Sequence, residues 1–153
     1  DGVRNLIRLR ERLRTRTPRV VLRIIRTEPA LSQIGAFRTR WEGLVDEVAS
    51  REFKTWAGRY SESMRAKGDR RPKRRTPCFS PFTALTVEWD GTATRCSLDY
   101  DRRGVLGDAS KQSLLEIWRG KALASVREAH LAGRYEGVCK GCKDWQPYEE
   151  FWA

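Results

Sequence analysis

Cys78, Cys96, Cys139 and Cys142 are the only cysteines of the 153-residue chain; they are separated by 17, 42 and 2 residues and all lie in its second half. Four soft donors make one complete coordination set, suited to a tetrahedral zinc ion or to an iron-sulfur cluster. Paired disulfides are a third use of four cysteines, but they belong to small secreted domains, and the sequence shows no secretion signal. A zinc staple, with thiolates at about 2.3 Å, ordinarily draws on two close cysteine pairs. Only Cys139-Lys140-Gly141-Cys142 is such a pair here. A 4Fe-4S cluster has one iron per thiolate and accepts donors from well-separated loops, so one close pair with two single cysteines suits it better. Spacing by itself leaves both metals open.

The residues around the cysteines indicate how they are positioned. Thr83-Ala84-Leu85-Thr86-Val87-Glu88-Trp89 alternates, Asp90-Gly91 supplies a turn, and Thr92-Ala93-Thr94-Arg95-Cys96 returns, a strong hairpin signal. Cys78 precedes the outgoing strand and Cys96 ends the returning one, so both fall at one end of a two-stranded ribbon. Ser113-Leu114-Leu115-Glu116 has the capping-box pattern of a helix start. Gly120 interrupts that helix, and a second runs from about Lys121 to Ala132, ahead of Gly133 and the close cysteine pair.

The first half reads differently. Val3, Leu6, Ile7, Leu9 and Leu13 form an apolar stripe on a basic amphipathic helix reaching about Arg16, which Thr17-Pro18 ends. Val20-Val21-Leu22-Arg23-Ile24-Ile25 is a nearly continuous branched run, the pattern of a parallel strand covered on both faces. Glu28-Pro29 opens a second helix with Leu31, Ile34, Phe37, Trp41 and Leu44 at helical spacing as far as Val45, and residues 46–49 resemble another strand. Helix, strand, helix, strand is the rhythm of a βα-repeat fold. About one and a half repeats cannot close a barrel, so the chain is expected to be a piece of a longer protein.

The net charge of +11 is confined to one part: residues 1–77 hold 21 Lys or Arg against 9 Asp or Glu, and residues 78–153 hold 10 against 11. Residues 54–76, which include Arg70-Arg71-Pro72-Lys73-Arg74-Arg75, read as a basic, solvated linker. No run of 18 apolar residues is present, so no membrane span is expected, and with no secretion signal the expected compartment is the cytoplasm.

Over residues 76–145 the chain resembles the SPASM and twitch domains of radical S-adenosylmethionine enzymes. Cys78, twelve residues, Gly91, four residues and Cys96 match their CX(9-15)GX4C opening. Cys78-Phe79-Ser80-Pro81, Leu106-Gly107-Asp108, Ser113-Leu114-Leu115-Glu116-Ile117-Trp118 and Cys139-X2-Cys142 continue the likeness. A full SPASM domain would go on with CX5CX3C, but Tyr148 stands where the next cysteine would fall, as in the shorter, single-cluster twitch form. The resemblance implies that Cys78, Cys96, Cys139 and Cys142 bind one auxiliary 4Fe-4S cluster. It further implies an α/β plus α+β architecture: residues 1–53 as the last βα units of a partial TIM barrel, 54–76 as linker and 77–153 as the SPASM/twitch domain. The cofactors it implies for the longer enzyme are S-adenosyl-L-methionine and a second 4Fe-4S cluster. The CX3CX2C loop that holds that second cluster is absent from this sequence, so the chain alone is expected to be inactive. Small-molecule or peptide substrates, with sugars and aminocyclitols foremost, and a reductant protein such as flavodoxin or ferredoxin are the implied partners, in an oxidoreductase-like reaction. A competing reading is a zinc-stapled nucleic-acid-binding module that uses the basic half as its phosphate footprint.

Other residues invite a role. His130, the only histidine, could be a fifth ligand or proton donor, although lone helical histidines mostly pack. Trp41, Trp89 and Trp118 occupy core-like positions, Trp145 could shield a cluster from water, and Asp90 belongs to the turn. Arg23 and Arg26 sit on the buried-looking strand, where one of them could face a cosubstrate or substrate.

Overall fold

The computed structural model describes residues 2–69 and 74–147. It divides into two compact units, Asp1–Phe53 with Ser63–Asp69, and Lys54–Glu62 with Arg70–Ala153. The stretch read as a linker is therefore shared: residues 54–62 pack with the cysteine-bearing unit and 63–69 with the other. Arg70–Lys73 of the basic block lie outside the described residues.

The first unit is a βαβ arrangement preceded by a helix. α1 (Gly2–Arg12) half-buries Val3, Leu6, Ile7 and Arg10 at positions i, i+3, i+4 and i+7, whereas Leu9 and Leu13 are exposed. The inward stripe thus ends in an arginine. Arg10 bonds the Pro18 carbonyl at 3.0 Å and the Asp46 carboxylate at 2.5 Å, and Asp46 also accepts the Val20 amide at 2.6 Å. α1 stops short of the expected Arg16 because Arg14 turns left-handed (φ 51°); Arg14 and Thr15 then bond back to Glu11 and Arg10, which closes the helix end.

β1 (Val21–Arg26) pairs in parallel with β2 (Glu47–Glu52), from Val21 opposite Glu47 to Arg26 opposite Glu52. The crossover holds a 3-10 turn, Glu28–Gln33, and α2 (Ile34–Trp41). α2 ends before the expected Val45, because Glu42 is extended and Gly43 has a φ of 80°. Trp41 is buried, as its spacing indicated. β1 is not covered on both faces, since Arg23 and Ile25 are exposed. Arg26 pairs with Asp69 at 2.7 Å and Glu52 at 3.6 Å, so its charge is answered within the unit.

The second unit carries a three-stranded antiparallel sheet in the order β3 (Thr86–Val87), β4 (Thr92–Thr94), β5 (Val105–Asp108). The expected outgoing strand is shorter, because Ser80–Thr83 form a one-turn helix, α3. The hairpin turn is centred on Trp89 and Asp90, with the Gly91 amide bonded to the Glu88 carbonyl at 3.0 Å and Gly91 as the left-handed residue (φ 88°). Trp89 therefore stands at the tip, 89% exposed, and is not a core residue. Asp90 serves the turn by accepting the Thr92 amide at 3.1 Å.

β5 explains the Leu106-Gly107-Asp108 segment. A Cβ at Gly107 would come within 3.0 Å of Ile117 Cγ1, so the missing side chain lets the strand press on α4 (Leu114–Arg119), where Ile117 is 2% exposed. Ser113 caps α4 in a complete capping box with Glu116. Past Gly120, α5 (Lys121–Leu131) buries Leu123 and His130, and Gly133 follows at φ 69°. Trp118 is half-buried under the Arg127 guanidinium, 4.1 Å from its ring centroid. Replacing Ser113 with Ala should lower stability by about 1 kcal/mol, through loss of the cap to the Glu116 amide. Denaturant unfolding measures this, and an unchanged midpoint would show that the cap contributes nothing.

Candidate metal centre

Each cysteine is delivered by a different kind of backbone. Cys78 lies in an isolated antiparallel bridge with Pro147, next to the Phe79 amide bonded to the Gln146 carbonyl at 3.0 Å. Cys96 follows β4. Cys139 ends the 3-10 turn Gly137–Cys139, and the Cys142 amide bonds back to its carbonyl at 3.3 Å. All four are free thiols, and all four line one cavity of ≈190 Å³. Among the described residues no group of three or more His, Cys, Asp or Glu is gathered to hold a single metal ion. The four cysteines surround the space.

Burial raises the thiol pKa values of Cys96, Cys139 and Cys142. Polar contacts oppose that rise. The Leu98 amide donates to Cys96 Sγ at 3.4 Å and the Asp144 amide to Cys142 Sγ at 3.4 Å. The Ser80 hydroxyl also favours the Cys96 thiolate, and the Arg95 guanidinium favours that of Cys139. The cavity thus combines an apolar wall with donors directed at sulfur, the chemistry that an anionic thiolate set needs once its protons leave. These features fit an inorganic group held by thiolates.

Two supports were not legible from spacing. The Asp144 carboxylate, 3% exposed, accepts the Thr55 amide at 3.0 Å, the Thr55 hydroxyl at 2.7 Å and the Ala57 amide at 3.2 Å. It thereby fastens the segment after Cys142 to residues read as linker. Arg75, from the basic block, donates to the Cys139 carbonyl at 2.6 Å and the Lys140 carbonyl at 3.3 Å. The signals were an Asp two residues past the last cysteine and an Arg three residues before the first, and neither pattern is distinctive.

His130 lines the cavity and is 2% exposed. Its Nδ1 accepts the Cys78 amide at 3.3 Å, and its ring meets Tyr135 edge-on at 5.2 Å. Desolvation, with Arg75 and Arg95 nearby, lowers its pKa to about 4, so the ring is neutral at neutral pH and its contact is to the backbone of Cys78. Trp145 also lines the cavity. Arg23 and Arg26 belong to the first unit. Tyr148 lies outside the described residues.

Residues 78–143, from the first cysteine of the cavity to the residue after the last, match the family model of SPASM, an iron-sulfur cluster-binding domain. The match falls in the second unit and bears out the resemblance to SPASM domains carried by the cysteine and glycine spacing. Over 125 residues the chain is 26% identical to an uncharacterized protein of Treponema pallidum (strain Nichols), a match covering 82% of this chain and 34% of that protein. The chain therefore spans about a third of that relative's length. No solved structure matches. No helix among the described residues is long and apolar enough to cross a membrane.

Asp144→Ala should destabilise the second unit by about 3 kcal/mol, because it strands buried donors of Thr55 and Ala57. Asp144→Asn, which keeps acceptor oxygen at the same place, should cost less. Chemical unfolding of the two variants checks the order, and equal losses would mean that the carboxylate's second oxygen and its charge carry the contact.

Proposed function

We propose that this chain is the C-terminal region of a radical S-adenosylmethionine enzyme, in which Cys78, Cys96, Cys139 and Cys142 bind one auxiliary 4Fe-4S cluster. The observation that carries the proposal is that four cysteines spread over 65 residues of sequence line a single cavity. On this reading the domain is of the single-cluster twitch form, and the βαβ unit is the end of the partial TIM barrel that precedes it. Tetrahedral zinc at about 2.3 Å from each sulfur would need thiolates about 3.8 Å apart. A cluster with one iron per thiolate suits cysteines that surround a space.

When bound, such a cluster supplies one-electron transfer, and the protein's part is placement and tuning. Leu98 and Asp144 amides steady the sulfurs, Trp145 and Val138 form part of the wall against water, and His130 holds the backbone of Cys78. With all four thiolates engaged no coordination position is open, which favours electron acceptance from a substrate radical over direct substrate ligation. S-adenosyl-L-methionine, the cluster that cleaves it, and a flavodoxin- or ferredoxin-like reductant belong to the longer enzyme. Its substrate is a sugar, aminocyclitol or peptide, and the setting is the cytoplasm.

The test is iron, sulfide and zinc analysis of anaerobically reconstituted protein. About four irons and four sulfides per chain, with broad absorption near 400 nm, are expected. One zinc without sulfide would replace the cluster with a structural staple and return nucleic-acid binding to the front. Cys96→Ala should lose the cluster, and undiminished iron in that variant would remove Cys96 from the ligand set.

A further inference from the structure

Two arginines converge on one ligand position. Arg95 leaves β4 directly before Cys96 and lines the same cavity as Cys139, whose thiolate its charge favours. Arg75, which also lines the cavity, reaches the same residue at the Cys139 carbonyl, with its guanidinium carbon 3.8 Å from the Tyr135 ring centroid. Neither has a carboxylate partner among the described residues, and Arg95 Nε is buried without a hydrogen bond. An arginine whose charge is left unanswered beside a buried thiol set is costly unless an anion completes the site.

The route of Arg95 depends on a missing side chain. A Cβ at Gly104 would lie 2.5 Å from Arg95 Nε and 3.0 Å from its Cζ. The glycine's own amide is held by the buried Asp99 carboxylate at 2.6 Å, so the backbone there is not free to retreat. Gly104 has no left-handed φ, so alanine is tolerated by the backbone and rejected only by the arginine.

We propose that Arg95, seconded by Arg75 and admitted by the gap at Gly104, sets the reduction potential of the cluster held in this cavity. The proposal rests on the cluster reading above. A four-thiolate cluster is anionic and gains a further negative charge when one electron enters. A fixed positive charge beside one ligand sulfur therefore stabilises the reduced form and raises the potential. Such tuning suits an electron acceptor. Arg95 is a positioning residue in this sense, acting on the cluster through Cys139.

The experiment compares the full chain with Arg95→Gln, Arg95→Lys and Gly104→Ala, each reconstituted anaerobically. Iron and sulfide are counted first, and an EPR-monitored titration with dithionite as electron donor follows. Arg95→Gln and Gly104→Ala should keep wild-type iron and sulfide but show about a tenfold poorer reduced-to-oxidised ratio at a given potential, equivalent to a midpoint about 59 mV more negative for one electron. Arg95→Lys, which keeps charge without the planar fork, should fall between. Wild-type midpoints in fully loaded Arg95→Gln and Gly104→Ala would overturn the proposal and leave the cluster reading standing. Loss of the cluster from all three variants while wild type loads would make Arg95 structural and would overturn it too. Absence of iron and sulfide from wild type would instead defeat the reading of the cavity itself.

Discussion

The buried carboxylate of Asp144 is the contact on which the geometry of the second unit turns. It accepts three hydrogen bonds from Thr55 and Ala57, and its own amide donates to Cys142 Sγ. One residue therefore joins a segment far upstream of the cysteines to the wall of the cavity. The upstream segment is bent to meet it: Trp56 and Ala57 adopt left-handed backbone at φ 53° and 54°, and Gly58 continues at 90°. Strain of this kind persists only where the surroundings impose it, and the three donors to Asp144 are that imposition.

Around this anchor the cavity balances two opposed requirements. Apolar walls exclude water and so disfavour the thiolate form, yet thiolates are what any metal group would bind. The main-chain donors at Cys96 and Cys142 and the guanidinium at Cys139 offset part of that penalty. A group bearing its own positive charge, such as iron, would offset the rest by displacing the protons. The same burial keeps His130 neutral, so that its Nδ1 remains an acceptor for the Cys78 amide.

Legibility in the sequence followed the range of the interaction. The capping box at Ser113 and the left-handed glycine at Gly91 are local, and both appear as their residues indicate. β1 was readable from its branched run, whereas β2 (Glu47–Glu52) holds one branched residue and was expected only over residues 46–49. Trp89 was misplaced because alternation was carried through a turn whose centre lies one residue earlier than Asp-Gly alone suggests. Leu9 and Leu13 were misplaced because the inward stripe of α1 finishes with an arginine that seeks Asp46. β5 was unannounced, since its four residues hold a glycine whose value lies in what packs on it. The cavity's supports, Asp144 with Thr55 and Arg75 with Cys139, join residues 89 and 64 apart, beyond any periodicity.

The bridge between Cys78 and Pro147 has a consequence for how the protein is made. Cys78 and Cys96 leave the ribosome well ahead of Cys139, Cys142 and the residues that close against Cys78. At about 5–20 residues per second, an emerging chain would present half of the donor set for seconds before the other half exists. On the cluster reading, a cluster offered in that interval would find an open ribbon with no wall to retain it. On the same reading the donor set is complete only once Cys142 has been made, and the bridge of Pro147 to Cys78 can close only after all four cysteines have left the ribosome.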